Sequence, residues 1–194
     1  MSIDEWTAVV GIDPSMTGTG LAYGHDLLDT VTFSRKVAGD QRLAHIDGAI
    51  AGAVRGAGLA IIEDLPTHGH GAGITGMAQG VIRLALIRAM VPYVTVPPAT
   101  LKKYATGRGN ATKADMRMAL YQRTDLDVRD DNQVDAWWLR QMGRDAIGHH
   151  YAVKLPRAQR EAMLKLTWPE EVAARLLEPY ERLVRDTELP GATP

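Results

Sequence analysis

The sequence contains no cysteine. That excludes disulfides, thiolate-based zinc sites and a cysteine nucleophile. It also lacks an excess of charge of either sign: 22 basic residues against 23 acidic ones leave a formal net charge of −1. Overall electrostatics therefore does not announce a nucleic-acid binder. A metal-dependent nuclease would show the same balance, because the carboxylates that hold its ions offset a basic groove. No apolar run reaches membrane-spanning length, and the N-terminus lacks the charged and apolar regions of a secretory signal. A soluble, cytoplasmic protein with no membrane partner is expected. Internal repeats and low-complexity tracts are absent as well. What remains is 194 residues of ordinary globular composition, enough for one domain and a modest appendage.

The first 150 residues read as an α/β domain. Trp6–Asp13 is a compact β-rich run ending in Asp-Pro, a buried strand followed by a turn. The TGTG segment before Leu21 is expected to turn tightly, leading into strands at Leu21–Gly24 and Thr30–Arg35. Gln41–Arg55 has helical spacing through Leu43, Ile46, Ile50 and Val54. Leu59–Leu65 is a second buried strand, followed by a glycine- and histidine-rich loop to Gly76, a helix from Met77 to Met90 and a short strand at Tyr93–Val96. Lys113–Arg123 and Asn132–Ile147 are helical, joined by an acidic connector. Three antiparallel strands followed by alternating helices and strands predict a mixed sheet flanked by helices. Residues 151–194, with Pro156, Pro169, Pro179 and Pro190 between short amphipathic stretches, read as a helical C-terminal extension packed on the core or on a partner.

Three segments bring carboxylates to places where they can converge. Asp13 ends the first strand, Glu63 ends the LAIIE strand, and Asp135 lies on the late helix. Asp131 is one turn before Asp135 on the same helical face, and Asn132 is also close. Singly, each has an ordinary explanation: Asp before Pro is a common turn residue, and Asp131 reads as a helix cap. Two apolar strands ending in carboxylates are less ordinary, because burying an unpaired charge is costly. Hydrolysis of phosphodiesters uses such clusters. Mg²⁺ prefers hard oxygen ligands, and two ions roughly 3.5–4 Å apart can activate the attacking water and stabilise the leaving oxygen. Lys102, Lys103, Arg108, Lys113 and Arg117, with Gly107 and Gly109 among them, form a patch suited to phosphate contact.

The segments VVGIDPSMTGTGLAYG, LAIIEDL, TLKKYATGRGNATKADM and DDNQVDAWWLR resemble, in that order, the active-site motifs of RuvC-like Holliday-junction resolvases. In their details they look most like bacteriophage-encoded members. The resemblance spans about residues 8–147. It implies an RNase H-like fold with a five-stranded sheet, a homodimer, and metal-dependent paired cuts in four-way DNA junctions or other branched DNA. It implies Mg²⁺, with Mn²⁺ as a substitute. By position it makes Asp13, Glu63 and Asp135 metal ligands, and Lys102 and Lys113 candidates for meeting the scissile phosphate. Where bacterial enzymes often carry another acid, this chain has Asn132. Either Asn132 is a neutral ligand or Asp131 supplies the carboxylate, and charge and helical face favour Asp131. Pro66 and Thr67 stand where those enzymes place an aromatic residue near the junction centre. Residues 151–194 have no counterpart.

His68 and His70, in the loop after Glu63, read more readily as exposed residues than as proton carriers, and Trp137 and Trp138 as core residues. Arg157, Arg160 and Lys165 form either a solvated face or an added DNA contact. Two other functions fit parts of the pattern. The GIDPSMTGTG turn also resembles the phosphate-binding turn of actin-like ATPases, which need two such domains. A junction-binding protein that has lost cleavage is the second.

Overall fold

The computed structural model describes residues 8–24, 27–32, 37, 39–65, 72–170 and 172–173. Strands β1 (Val9–Asp13), β2 (Gly18–Tyr23) and β3 (Leu27–Thr32) form an antiparallel meander. Two further strands, β4 (Leu59–Glu63) and β5 (Tyr93–Val96), add in parallel on the other side of β1. The sheet order is β3-β2-β1-β4-β5, the mixed five-stranded sheet expected from the sequence.

Strand β1 is buried along its whole length, so its alternating side chains serve two cores. Val10 and Ile12, with Ala60 and Ile62 of β4, face α1 (Asp40–Ala53) and α2 (Ala72–Arg88) through Ile46, Ile50, Ile82 and Leu86. Val9, with Leu59 and Ile61, faces the opposite layer. That layer holds α3 (Pro98–Thr106), α4 (Lys113–Thr124) and α5 (Asp131–Ala146). Near-continuous apolar strands are what a sheet covered on both faces requires.

Helix α5 lies unusually close to the sheet. A Cβ at Gly11 would stand 2.0 Å from the Ala136 carbonyl oxygen, and one at Gly20 2.1 Å from that of Asn132. From the helix side, a Cβ at Gly143 would meet the Val9 side chain at 2.6 Å. Only glycine fits at these contacts. Arg140, buried on the same helix, donates from Nε to the Val9 carbonyl at 2.9 Å and from its guanidinium to the Gly24 carbonyl.

Several local expectations need correction. TGTG is not a tight turn: Gly18–Gly20 belong to β2, and the glycines are there because α5 packs on them. The third strand starts at Leu27, earlier than Thr30; residues 33–36 lie outside the described set. Helix α2 starts at Ala72 rather than Met77. The Pro97–Pro98 pair opens a helix, with Pro98 in its first turn, where a missing N–H costs nothing. The acid that caps α5 is Asp130, not Asp131: Asp130 accepts from the Asn132 amide at 2.9 Å and from the Thr30 hydroxyl at 2.8 Å.

Beyond α5, a short helix α6 (Arg157–Arg160) and a 3₁₀ turn (Glu161–Lys165) pack against α3. Ala162, Met163 and Val172 join the core on the α5 side of the sheet. Among the described residues, no helix is long and apolar enough to cross a membrane.

Candidate active site

The site forms at the carboxyl ends of β1 and β4, where ligands bind in open α/β sheets. Parallel pairing sets Ile12 against Ile62, so Asp13 and Glu63 follow side by side. By the two-residue period of a strand both lie on the α5 face. Their carboxyls are in hydrogen-bonding contact. Asp135, in the second turn of α5, is near enough to repel both. The glycine contacts of Gly11 and Gly20 bring the helix down to that range.

All three acids are held back from ionising. Burial, then the neighbouring charges of Glu63 and Asp135, push Asp13 well above the usual carboxylate range. Glu63 is pushed up to about 7 by burial and then by Asp135. Asp135 is pushed up to about 6, chiefly by burial, against the pull of Lys113. The cluster thus retains protons near neutral pH because burial and like charge both penalise its anionic form.

Two lysines answer this charge from the same side. Lys113 is the first residue of α4, fixed by a capping box: the Thr112 hydroxyl accepts from the Asp115 amide at 3.2 Å, and the Asp115 carboxylate accepts from the Thr112 amide at 2.8 Å. A helix N-terminus disfavours a cation, yet Lys113 Nζ stands 3.2 Å from Asp131 Oδ2. That bond, together with the charges of Asp135 and Asp13, raises its pKa. Lys102, on α3, lies close enough for its charge to act on Glu63 and Asp135.

The remaining residues singled out in the sequence are arranged around this centre. Asp131 stands between cations: Lys113 meets Oδ2, and Arg117 Nε lies 3.4 Å from the buried Oδ1, which accepts no hydrogen bond among the described residues. Asn132 turns toward β2, where a Cβ at Gly18 would stand 3.2 Å from its Nδ2. Arg108 pairs with Asp115 at 3.1 Å, and Lys103 is exposed. Trp137 and Trp138 are buried edge to face, with Trp138 Nε1 donating to the Met116 carbonyl. In the tail, Arg160 pairs with Asp145 and Arg157 with Glu161. His68, His70, Pro66 and Thr67 lie outside the described residues.

Sequence reading missed the residues that hold the acids in place. Gln79 is buried on α2, and its Nε2 donates to the Glu63 carbonyl at 3.0 Å and to Asp64 Oδ1 at 3.3 Å. A glutamine on the otherwise apolar face of Ala78 and Ile82 was the available signal. After Asp13, the buried Thr19 hydroxyl donates to the Ser15 carbonyl at 2.7 Å and accepts from the Ser15 amide at 3.3 Å, closing the turn into β2.

The donor chemistry fits a hard divalent cation: three carboxylates, gathered out of water, whose protons such an ion would displace. Among the described residues no three carboxylate or imidazole groups already form a ready-made ligand cluster. Asp13 and Glu63 instead face one another in hydrogen-bonding contact.

No family model matches the sequence. Among solved structures, the chain is similar to Thermus thermophilus RuvC, with a TM-score of 0.61 and 21% identity over 76% of this chain and 98% of that one. It is similar also to T. thermophilus RuvC in complex with a Holliday junction substrate, with a TM-score of 0.63 and 20% identity over the same shares. A sheet of this order, flanked by helices on both faces and matched over nearly the whole of RuvC, identifies the fold: the chain has a RuvC-like fold.

Proposed function

We propose that this chain is a metal-dependent endonuclease that cuts branched DNA, four-way junctions foremost, acting in the cytoplasm as a bacteriophage-type member of the RuvC-like group. The observation that carries the reading is the convergence of Asp13, Glu63 and Asp135 at the strand ends, with Lys113 and Lys102 on the same side. One structural neighbour of the same fold is bound to a Holliday junction.

Asp13, Glu63 and Asp135 would hold Mg²⁺, or Mn²⁺ in its place, with Asp131 or Asn132 at the margin of the set. When bound, magnesium supplies positive charge and Lewis acidity to the phosphate undergoing hydrolysis. Lys113, held at the head of α4, meets the negative charge that develops on the phosphate oxygens. Asp131 keeps that ammonium protonated and aimed. Lys102 acts from α3, and Lys103, Arg108 and Arg117 extend the basic surface along which the strand lies. Burial of the acids keeps bulk water from screening these interactions.

Paired cuts need two sites. Helix α2 leaves Ile74, Met77, Leu84 and Ile87 exposed along one stripe, an apolar face suited to a twofold contact with a second copy. This supports the homodimer expected from the sequence.

The test is a panel of labelled four-way, three-way, flap and duplex DNA, incubated with Mg²⁺ and with chelator. Branched substrates should be cut, linear duplex spared, and chelator should stop the reaction. If Asp13→Asn cut as well as the unmodified protein, the site would be wrong. Tight junction binding without cutting under any divalent cation would instead favour a binding protein that has lost catalysis.

A further inference from the structure

The segment after α5 does not merely cover the core. It is wired to the helix that carries Lys102. Arg160, at the end of α6, grips the Asp145 carboxylate three times: Nε lies 3.0 and 2.9 Å from its two oxygens, and a terminal guanidinium nitrogen is 2.7 Å from Oδ1. Asp145 is almost fully buried in the last turn of α5, where a helix C-terminus disfavours a carboxylate. An arginine fork is what such a position requires. The same carboxylate then reaches α3: the hydroxyl of Tyr104, itself fully buried, donates between Asp145 Oδ2 at 3.3 Å and the Gln141 carbonyl at 3.2 Å.

Tyr104 is two residues from Lys102, on a helix of nine residues. Packing reinforces the polar chain. Met163 and Ala162, just past Arg160, lie in the same core cluster as Leu101, Tyr104 and Ala105. The side chain of Gln159, also buried, lies against Gly107, which ends α3 in the left-handed conformation. The buried face of α3 is therefore held between α5 and the C-terminal segment, and its other face presents Lys102 and Lys103. The likeness to RuvC covers 76% of this chain, and the sequence motifs stop before residue 150.

We propose that Arg160 is a positioning residue for the nuclease site: through Asp145 and Tyr104 it fixes α3, and so fixes the place from which Lys102 meets the DNA backbone. The proposal rests on the branched-DNA reading given above. It assigns the C-terminal segment a part in substrate handling without any contact of its own with DNA. Arginine is required because the fork holds both carboxylate oxygens, which a lysine cannot do.

The experiment compares the unmodified protein with Arg160→Lys and Tyr104→Phe. The first keeps the charge and loses the fork. The second keeps the packing and loses only the hydroxyl link, so it serves if Arg160→Lys does not fold. Each is combined with Lys102→Ala. Two readouts are taken on full-length protein: hydrogen exchange of the α3 amides without DNA, and the salt dependence of four-way-junction binding in Ca²⁺. Expected are faster exchange confined to α3 in the single variants and a salt slope shallower by about one, as for Lys102→Ala alone. Adding Lys102→Ala to either variant should then change the slope little further.

Unchanged α3 exchange would overturn the brace. Faster exchange with the full Lys102 effect still present would overturn the positioning role and leave a structural contact only. Failure of the unmodified protein to bind junctions would defeat the branched-DNA reading, and the positioning role with it. That outcome is recognisable because the exchange measurement uses no DNA.

Discussion

The backbone of Asn132 presses on Gly20 so closely that a Cβ there would stand 2.1 Å from the Asn132 carbonyl oxygen. This contact brings the first turn of α5, and Asp135 with it, down to the strand that ends in Asp13. Gly20→Ala should therefore cost more than a surface substitution, by about 1–3 kcal/mol of overpacking. Cleavage should fall further than stability does, about 10²-fold for a displacement near 1 Å at the site. Urea denaturation and single-turnover cleavage measure the two. Gly48→Ala on α1, where a Cβ meets nothing within 4 Å, is the matched control. It should add up to about 1 kcal/mol and leave cleavage alone.

The pH dependence of stability should run opposite to that of a protein stabilised by salt-bridged acids. Glu63 and Asp135 have folded pKa values of about 7 and about 6, raised above ordinary 4.5 and 3.8. Between those limits the folded state binds more protons than the unfolded chain, so stability falls as pH rises. The contribution is fully present below about pH 4 and lost by about pH 7. Glu63 alone amounts to about 3 kcal/mol across its window. Denaturation in chelator from pH 4 to 8 should show the decline. Added Mg²⁺ should reverse it at the alkaline end, and Asp13→Asn should flatten it while abolishing cleavage. Stability that instead rose with pH in chelator would contradict the raised values.

Asp131 already has Lys113 and Arg117 as partners. Asp131→Asn is expected to lower the maximal cleavage rate about tenfold by releasing Lys113, within the range of a positioned charge. The Mg²⁺ concentration for half-maximal rate should move little. Asp135→Asn should do the reverse, raising the Mg²⁺ requirement steeply. A large shift in Mg²⁺ requirement for Asp131→Asn would make Asp131 a ligand.

A charge placed on the exposed stripe of α2 tests the twofold contact. Ile87→Glu should yield a monomer in analytical ultracentrifugation while preserving the far-ultraviolet spectrum, because Ile87 is 61% exposed. Nicks in the two opposed strands of a junction should then lose their coordination. An unchanged oligomeric state would place any dimer contact elsewhere.

Much of this site could be read from the sequence because strands and helices carry their own periods. An apolar run ending in Asp or Glu puts the acid at the end of a buried strand whatever packs above it, and a four-residue spacing fixes a helical face. The errors arose where the cause lay elsewhere in the chain. TGTG looks like a turn because glycine signals both backbone freedom and close approach, and only α5, more than a hundred residues later, decides between them. Helix α3 was missed altogether because Pro97 and Pro98 stop a strand and open a helix with the same residues. Gln79 and Arg140 were missed because a buried polar side chain is explained by the carbonyl it reaches, and no local pattern shows which carbonyl that is. Asp130, not Asp131, caps α5 because Thr30 of β3 comes to meet it.

The placement of Asp135 on α5, the last long helix among the described residues, has a consequence for the time course of folding. The β1–β2–β3 meander closes through short loops, but the β1–β4 pairing and the docking of α5 join segments far apart in sequence, and such contacts form late. A chain emerging from the ribosome has Asp13 and Glu63 well before it has Asp135 or the guanidinium of Arg140 that ties α5 to β1 and β2. Asp13 and Glu63 therefore lack their third partner until α5 has been made and has docked, and that step completes the three-carboxylate cluster.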